Sequence, residues 1–263
     1  MSGQQIQTRI WQEIPEPDNP FATQQARCHG YDVYGEMLGQ ARWVEMLYLL
    51  FRGEAPSADQ ATMLETLAVA LINPGPRDPS VHAAMCGGVG GSTAASCLIA
   101  ALAAGAGQYT GAREVFEAME LWCSCRTDID QWRAALTAPF RQTADMWPTM
   151  EHAPGFDPHG ASTSNVVKQT LEHLAQRASM GPLYWLYKQR STLESFVDCP
   201  LAMSGVAAAV FFELGFSAQE GEMLYLLLRL PGAAAHALEQ RQLGHKAFPF
   251  FGLELNDATE DAT

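Results

Sequence analysis

One stretch of the chain gathers several of its acid–base side chains. Between Pro148 and Thr163, the segment PTMEHAPGFDPHGAST carries Glu151, His152, Asp157 and His159 among three prolines and two glycines. Asp157 and His159 are a carboxylate and an imidazole on one loop, residue types that can take and return a proton near neutral pH. Glu151 and His152 lie on the approach to this pair and have the weaker claim. Elsewhere, His82 and Cys86 stand four residues apart, a spacing that shares one helix face and suits two metal ligands. No second pair completes a four-ligand set, so no metal is expected. Lys246, in LGHKAFPFF, is a cation that could meet an anionic ligand. Each residue has a plainer reading: a loop histidine in water, a satisfied helical histidine, a solvated lysine.

Helices must position these groups. Apolar residues recur at three and four from Ala41 to Phe51, and Gly53 supplies a stop. Ser57 and Gln60 make a capping box that opens a helix running to about Ile72. Pro74, Gly75, Pro76 and Pro79 break it. Further helices are expected through Val81 and Met85, from Ser92 to about Ala104, from Ala112 to about Cys125, and from Trp132 to Leu136. Beyond the Pro148–Thr163 loop, they are expected over 163–177, 182–196, 201–214 and 217–241. Ser217 and Glu220 repeat the capping box, and Pro231 is expected to kink or split the last helix. The Ala/Gly-rich helix near residue 100 allows close backbone approach, as at a bundle centre or a subunit interface. No strand and no internal repeat is read, so the fold class is all-α. The acidic tail, ELNDATEDAT, is expected to be disordered.

Composition narrows the function classes. Nearly half of the 263 residues are apolar (48%), only 17% are charged and the net charge is −13. Such a chain buries a core rather than staying disordered. An acidic surface repels nucleic-acid phosphates and anionic lipid, so neither partner is expected. The N-terminus has no basic flank followed by an apolar run, and the most apolar stretch, Ser92 to Gly107, is too short to span a bilayer. A cytoplasmic protein is expected. Cys28, Cys86, Cys97, Cys123, Cys125 and Cys199 make no CxxC pair and read as free thiols.

Six segments in order, over roughly residues 27–242, resemble the citrate synthase/citryl-CoA lyase family. RCHGYDVYGEMLGQARWVEMLYLLFRGEAPS resembles its "RGY…L…F.E..YLL..GE.P" stretch. LAVALINPGPRDPSVHAA resembles "L..…DHG…S..AAR", and AALAAGAGQYTGAREV resembles "L..G…HGGA.E". PGFDPHG resembles "PGFGHR", CPLAMSGVAAAVFFELGF resembles "LPLNVDGAIAA…LGF", and LLLRLPGAAAHALEQ resembles "..AR.PG..AH..E". The similarity is nearest to the short citryl-CoA lyase type, which is like the C-terminal part of ATP-citrate lyase. It implies a citrate synthase-like helical bundle with large and small helical regions, forming a homodimer whose cleft is closed by the smaller region. On this basis residues 1–26 are an N-terminal extension, 27–252 the helical domain with a lid-like region at about 126–200, and 253–263 the tail.

The resemblance also implies where the chemistry should lie, and the residues there are different. Such enzymes make or break a carbon–carbon bond beside a CoA thioester, with an Asp as base and histidines polarising the carbonyls. Here Asn73-Pro74-Gly75 puts proline at the His of DHG, and Asp157-Pro158-His159 puts proline at the His of GFGHR. Ser204 stands at the Asp of NVDG, and Thr110 is placed at the His of HGG. Proline neither donates a hydrogen bond nor takes a proton, and serine is a poor base without a partner. Arg229 matches the arginine that grips a substrate carboxylate, which a guanidinium can do bidentately. Its plainer role is a pair with Glu222 or Glu239 on the same helix. His236 and Glu239 match AH..E and read as structural.

The expected catalytic residues are therefore His159, brought into the cleft by a one-residue shift, with Asp157 and His82. The expected substrate-binding residues are Arg229, Ser204, Asn73 and Lys246. The expected function is binding of a CoA thioester, a carboxylate (a dicarboxylate among them) or both, with altered carbon–carbon lyase or synthase chemistry and no bound cofactor. The alternatives are a catalytically inactive metabolite-binding or scaffold protein, and an ordinary citryl-CoA lyase.

Overall fold

The computed structural model describes residues 8–138, 152–178 and 180–249. Glu151 and the acidic tail lie outside them. The residues fall into two compact units: 1–72 with 106–228, and 73–105 with 229–263. Residues 126–200, expected to form a lid-like region, belong to the first unit.

In the first unit, α1 (Trp43–Arg52) follows the expected periodicity, and α2 (Ala58–Leu71) lies within the helix expected between its capping box and Ile72. Gly53 ends α1 at φ +75, its N–H bonded to the Leu49 carbonyl, a conformation glycine takes without a Cβ clash. Ser57 and Gln60 cap α2 reciprocally. Helix α5 (Ala112–Cys125) packs against α6 (Ile129–Leu136), and α2, α5, α7 (Asn165–Ala175) and α8 (Pro182–Val197) surround α9 (Met203–Glu213). Every residue of α9 from Ser204 to Phe211 is buried. A helix apolar on all faces can be satisfied only at the centre of a bundle. Around it, Trp122 packs edge-on against Trp132 (ring centroids 4.9 Å) and stacks on Phe212 (5.6 Å).

The N-terminal region departs from the all-helical reading. Strands β1 (Trp11–Pro15), β2 (Thr23–Cys28) and β3 (Tyr31–Asp32) form a small antiparallel sheet in the order β1-β2-β3. His29 and Gly30, both at positive φ, close the β2–β3 hairpin in two residues. Only Ala26 and Cys28 are buried in these strands, too few for an alternating apolar pattern to reveal them.

The second unit packs α3 (Pro79–Val89) against α4 (Ala94–Gly105), together with α10 from Arg229 onward. Its core is Val81, Ala84, Cys97, Ala101, Ala233 and Ala237. Gly88 lies against the Ala237 backbone, where an added Cβ would come within 2.1 Å of the carbonyl oxygen. The small-residue helix α4 buries only Cys97, Ala101 and Gly105 within the chain, and Ile99 is exposed. Helix α10 (Ala218–Leu243) contains Pro231 and is not split by it. No helix among the described residues is long and apolar enough to cross a membrane.

One carboxylate near the start of α8 has a pH consequence. Glu213 accepts the Leu183 N–H (3.1 Å) and lies against Gly181, where an added Cβ would displace the carboxylate. Burial pushes its carboxyl above the ordinary value. The folded state then holds this proton more tightly than the unfolded state, so the group favours folding in acid and loses that contribution as pH rises through its folded pKa. Glu213→Gln should therefore be at least as stable as the native chain at pH 7, with the difference vanishing below the ordinary carboxylate range. Urea midpoints at the two pH values check this.

Candidate active site

Glu114 is the most informative polar residue of the first unit. It sits in the first turn of α5, where the helix dipole favours a negative charge, and is only 1% exposed. Its Oε2 accepts the Thr110 N–H at 2.7 Å, from just before the helix begins. Its Oε1 accepts the Gly155 N–H at 3.0 Å and the Ser204 hydroxyl at 2.9 Å. All three partners are donors, the complement of a carboxylate, which only accepts. A buried acid is tolerable on these terms.

His152 completes the group. Its Nε2 lies 3.8 Å from Glu114 Oε1, within ion-pair range but too far for a hydrogen bond. The residue is 5% exposed, and Nε2 has no hydrogen-bond partner. The Tyr109 ring lies beside the imidazole, centroids 6.1 Å apart and tilted 37°. A buried polar nitrogen left open is costly unless something uses it. An imidazole so placed can accept a proton inside a buried site, and Glu114 would stabilise the imidazolium that results.

Local backbone geometry brings these residues together. Residues 153–157 run antiparallel to the chain entering α9: Ala202 N–H bonds the Gly155 carbonyl (2.9 Å), and Asp157 N–H bonds that of Pro200 (2.8 Å). Phe156 and Leu201 form the bridge between them. Gly155 has φ +87 and meets Gly205 so closely that a Cβ would lie 2.9 Å from the Gly205 Cα. Two glycines in contact let the loop amide reach Glu114.

The other sequence candidates of this unit lie elsewhere. Asp157, Pro158 and His159 are exposed. Asp157 Oδ1 accepts the His159 N–H at 2.9 Å, so the carboxylate holds the backbone of a turn rather than an imidazole. Pro158 takes the second position of that turn, which its fixed φ suits. Ser204 is buried, and its hydroxyl proton goes to Glu114. Glu114 was missed as a candidate, although it is the glutamate of the HGGA.E-like segment. Counting back through that pattern also sets Tyr109, rather than Thr110, at the histidine position. His152, the weaker loop candidate, is the imidazole that meets a carboxylate.

In the second unit, Arg229 is buried and its guanidinium pairs with Asp78, not with Glu222 or Glu239. Asp78 also caps α3 through the Ser80 N–H (2.9 Å). Asn73 Oδ1 accepts the Gly75 N–H and meets His236 Nε2, each at 3.1 Å, while His236 Nδ1 lies 3.5 Å from Glu239. His82 is partly buried on α3, its ring 6.2 Å from that of Phe248, and Lys246 is exposed. Among the described residues, no three His, Cys, Asp or Glu side chains are grouped to hold a metal. Burial pushes the Cys28, Cys123, Cys125 and Cys199 thiols up, away from the reactive thiolate.

No family model and no curated protein matches the sequence. Solved structures do. A citryl-CoA lyase from Hydrogenobacter thermophilus is 19% identical with a TM-score of 0.68, the match covering 97% of each chain. An ATP citrate lyase from Methanothrix soehngenii, in complex with citrate and coenzyme A, is 14% identical with a TM-score of 0.73. It matches all of this chain over 44% of its own. A citrate synthase from Thermoplasma acidophilum, in a ternary complex with carboxymethyl coenzyme A and oxaloacetate, is 14% identical with a TM-score of 0.63. That match covers 85% of this chain and 59% of the other. The chain has the citrate synthase/citryl-CoA lyase fold.

Proposed function

We propose that this citrate synthase-type chain binds a CoA thioester, a carboxylate or both, as a homodimer, and performs an altered carbon–carbon lyase or synthase reaction with His152 as its acid–base group. The observation that carries the reading is the open, buried Nε2 of His152 beside the buried Glu114 carboxylate. Making or breaking a carbon–carbon bond next to a thioester requires a proton to move as an enolate forms or collapses. Pro74, Pro158 and Ser204 do not supply that group. His152 can take the proton, and Glu114 at 3.8 Å balances the charge it gains. The ligands held by the solved citrate synthase and ATP citrate lyase structures support this substrate class.

The test incubates the purified chain with citryl-CoA and follows release of acetyl-CoA and oxaloacetate, with solvent exchange of the acetyl-CoA methyl protons as a partial reaction. His152→Gln should lower either rate by about 10²–10⁴-fold while leaving the melting temperature within a few degrees. Equal rates in the two proteins would remove His152 from the mechanism. A second reading, ligand binding without turnover, is favoured by the hydroxyl of Ser204 being committed to Glu114 and by the exposure of His159. It predicts thermal stabilisation by CoA or citrate with no reaction in any of these assays. Ordinary citryl-CoA lyase activity would instead persist undiminished in His152→Gln.

A further inference from the structure

Thr110 has φ +57, left-handed backbone that a β-branched side chain resists. The other non-glycine residues at positive φ among those described are His29, Arg126 and Asp198, none of them β-branched. Strain of this kind persists where the surroundings over-determine it, and it concentrates at working sites. At Thr110 the constraint is visible: its N–H donates to Glu114 Oε2 at 2.7 Å, the shortest of the three hydrogen bonds to that carboxylate. The residue before it is Tyr109, whose half-buried ring stands against His152. One carboxylate therefore supplies the imidazole's charged neighbour through Oε1 and fixes the imidazole's aromatic wall through Oε2.

We infer that Thr110 is a positioning residue for His152, an inference that rests on the assignment of His152 as the acid–base group. Its left-handed backbone, tied to Glu114, sets Tyr109 against the imidazole and keeps Nε2 buried and open. Thr110 is exposed and its contact with Glu114 is through the backbone N–H, so its effect passes through Tyr109.

The experiment follows the His152 ring in the free protein by long-range proton–nitrogen NMR at one fixed pH. His152→Gln identifies the resonances. Thr110→Gly takes φ +57 freely, so its melting temperature should hold or rise by about 2–4 °C. In the same variant, the His152 resonances should shift and broaden, because the turn no longer pins Tyr109. Tyr109→Leu should reproduce that spectral change, and Tyr109→Phe, which keeps the ring, should not. His152 spectra identical to the native chain in both Thr110→Gly and Tyr109→Leu would overturn the inference. Because the readout needs no turnover, this failure is distinguishable from that of the proposed reaction. His152→Gln losing activity while Thr110→Gly leaves the imidazole unmoved would reject only the positioning role.

Discussion

Glu114→Ala should destabilise the first unit by about 3–5 kcal/mol. The substitution removes the acceptor for three donors at once: the N–H groups of Thr110 and Gly155 and the hydroxyl of Ser204. Each buried donor left unmet costs about 1–3 kcal/mol, and water entering the space vacated by the side chain returns part of it. Glu114→Gln keeps the shape and one acceptor oxygen but turns an NH₂ toward groups that are themselves donors. It should fall between the two, about 1–3 kcal/mol below the native chain. Urea unfolding monitored by tryptophan fluorescence measures both, since Trp122 lies on the same helix. A Glu114→Ala midpoint close to the native one would mean that the carboxylate does not hold the loop, the α5 entry and α9 together.

Gly205→Ala should cost about 2–4 kcal/mol, although alanine is the better helix former by about 1 kcal/mol. An added Cβ would lie 2.4 Å from the Gly155 carbonyl oxygen and 2.9 Å from Leu201 Cδ1. The first contact is with backbone that also receives the Ala202 N–H, so nothing flexible is available to yield. Relief requires the 153–157 segment to move off α9, which draws the Gly155 N–H away from Glu114. The loss should therefore appear both as a lower urea midpoint and as faster hydrogen exchange at the Gly155 amide. Protection at Gly155 equal to that of the native chain would show that the loop does not depend on this contact.

The helices were legible in the sequence because their determinants are local. Periodicity placed α1, the Ser57–Gln60 and Ser217–Glu220 pairs marked the starts of α2 and α10, and Gly53 marked an end. Each signal acts within a few residues, where spacing along the chain is distance in space. The order of six motif-like segments carried the fold for the same reason, one segment at a time. The small sheet escaped notice, its strands being short and mostly exposed.

The site was decided by tertiary structure. Ser204 and Glu114 are 90 positions apart and Gly155 and Glu114 are 41 apart, so no spacing rule links them. The same holds for Arg229, which reads as a partner for carboxylates on its own helix yet pairs with Asp78, 151 positions away. Of two histidines seven residues apart on one loop, the sequence favoured His159. Contact between Gly155 and Gly205 buries His152 beside a carboxylate and leaves His159 on an exposed turn. Residue type determined which groups could carry a proton; the close approach of two backbones, which only glycine permits, decided which one has a buried partner to do it with.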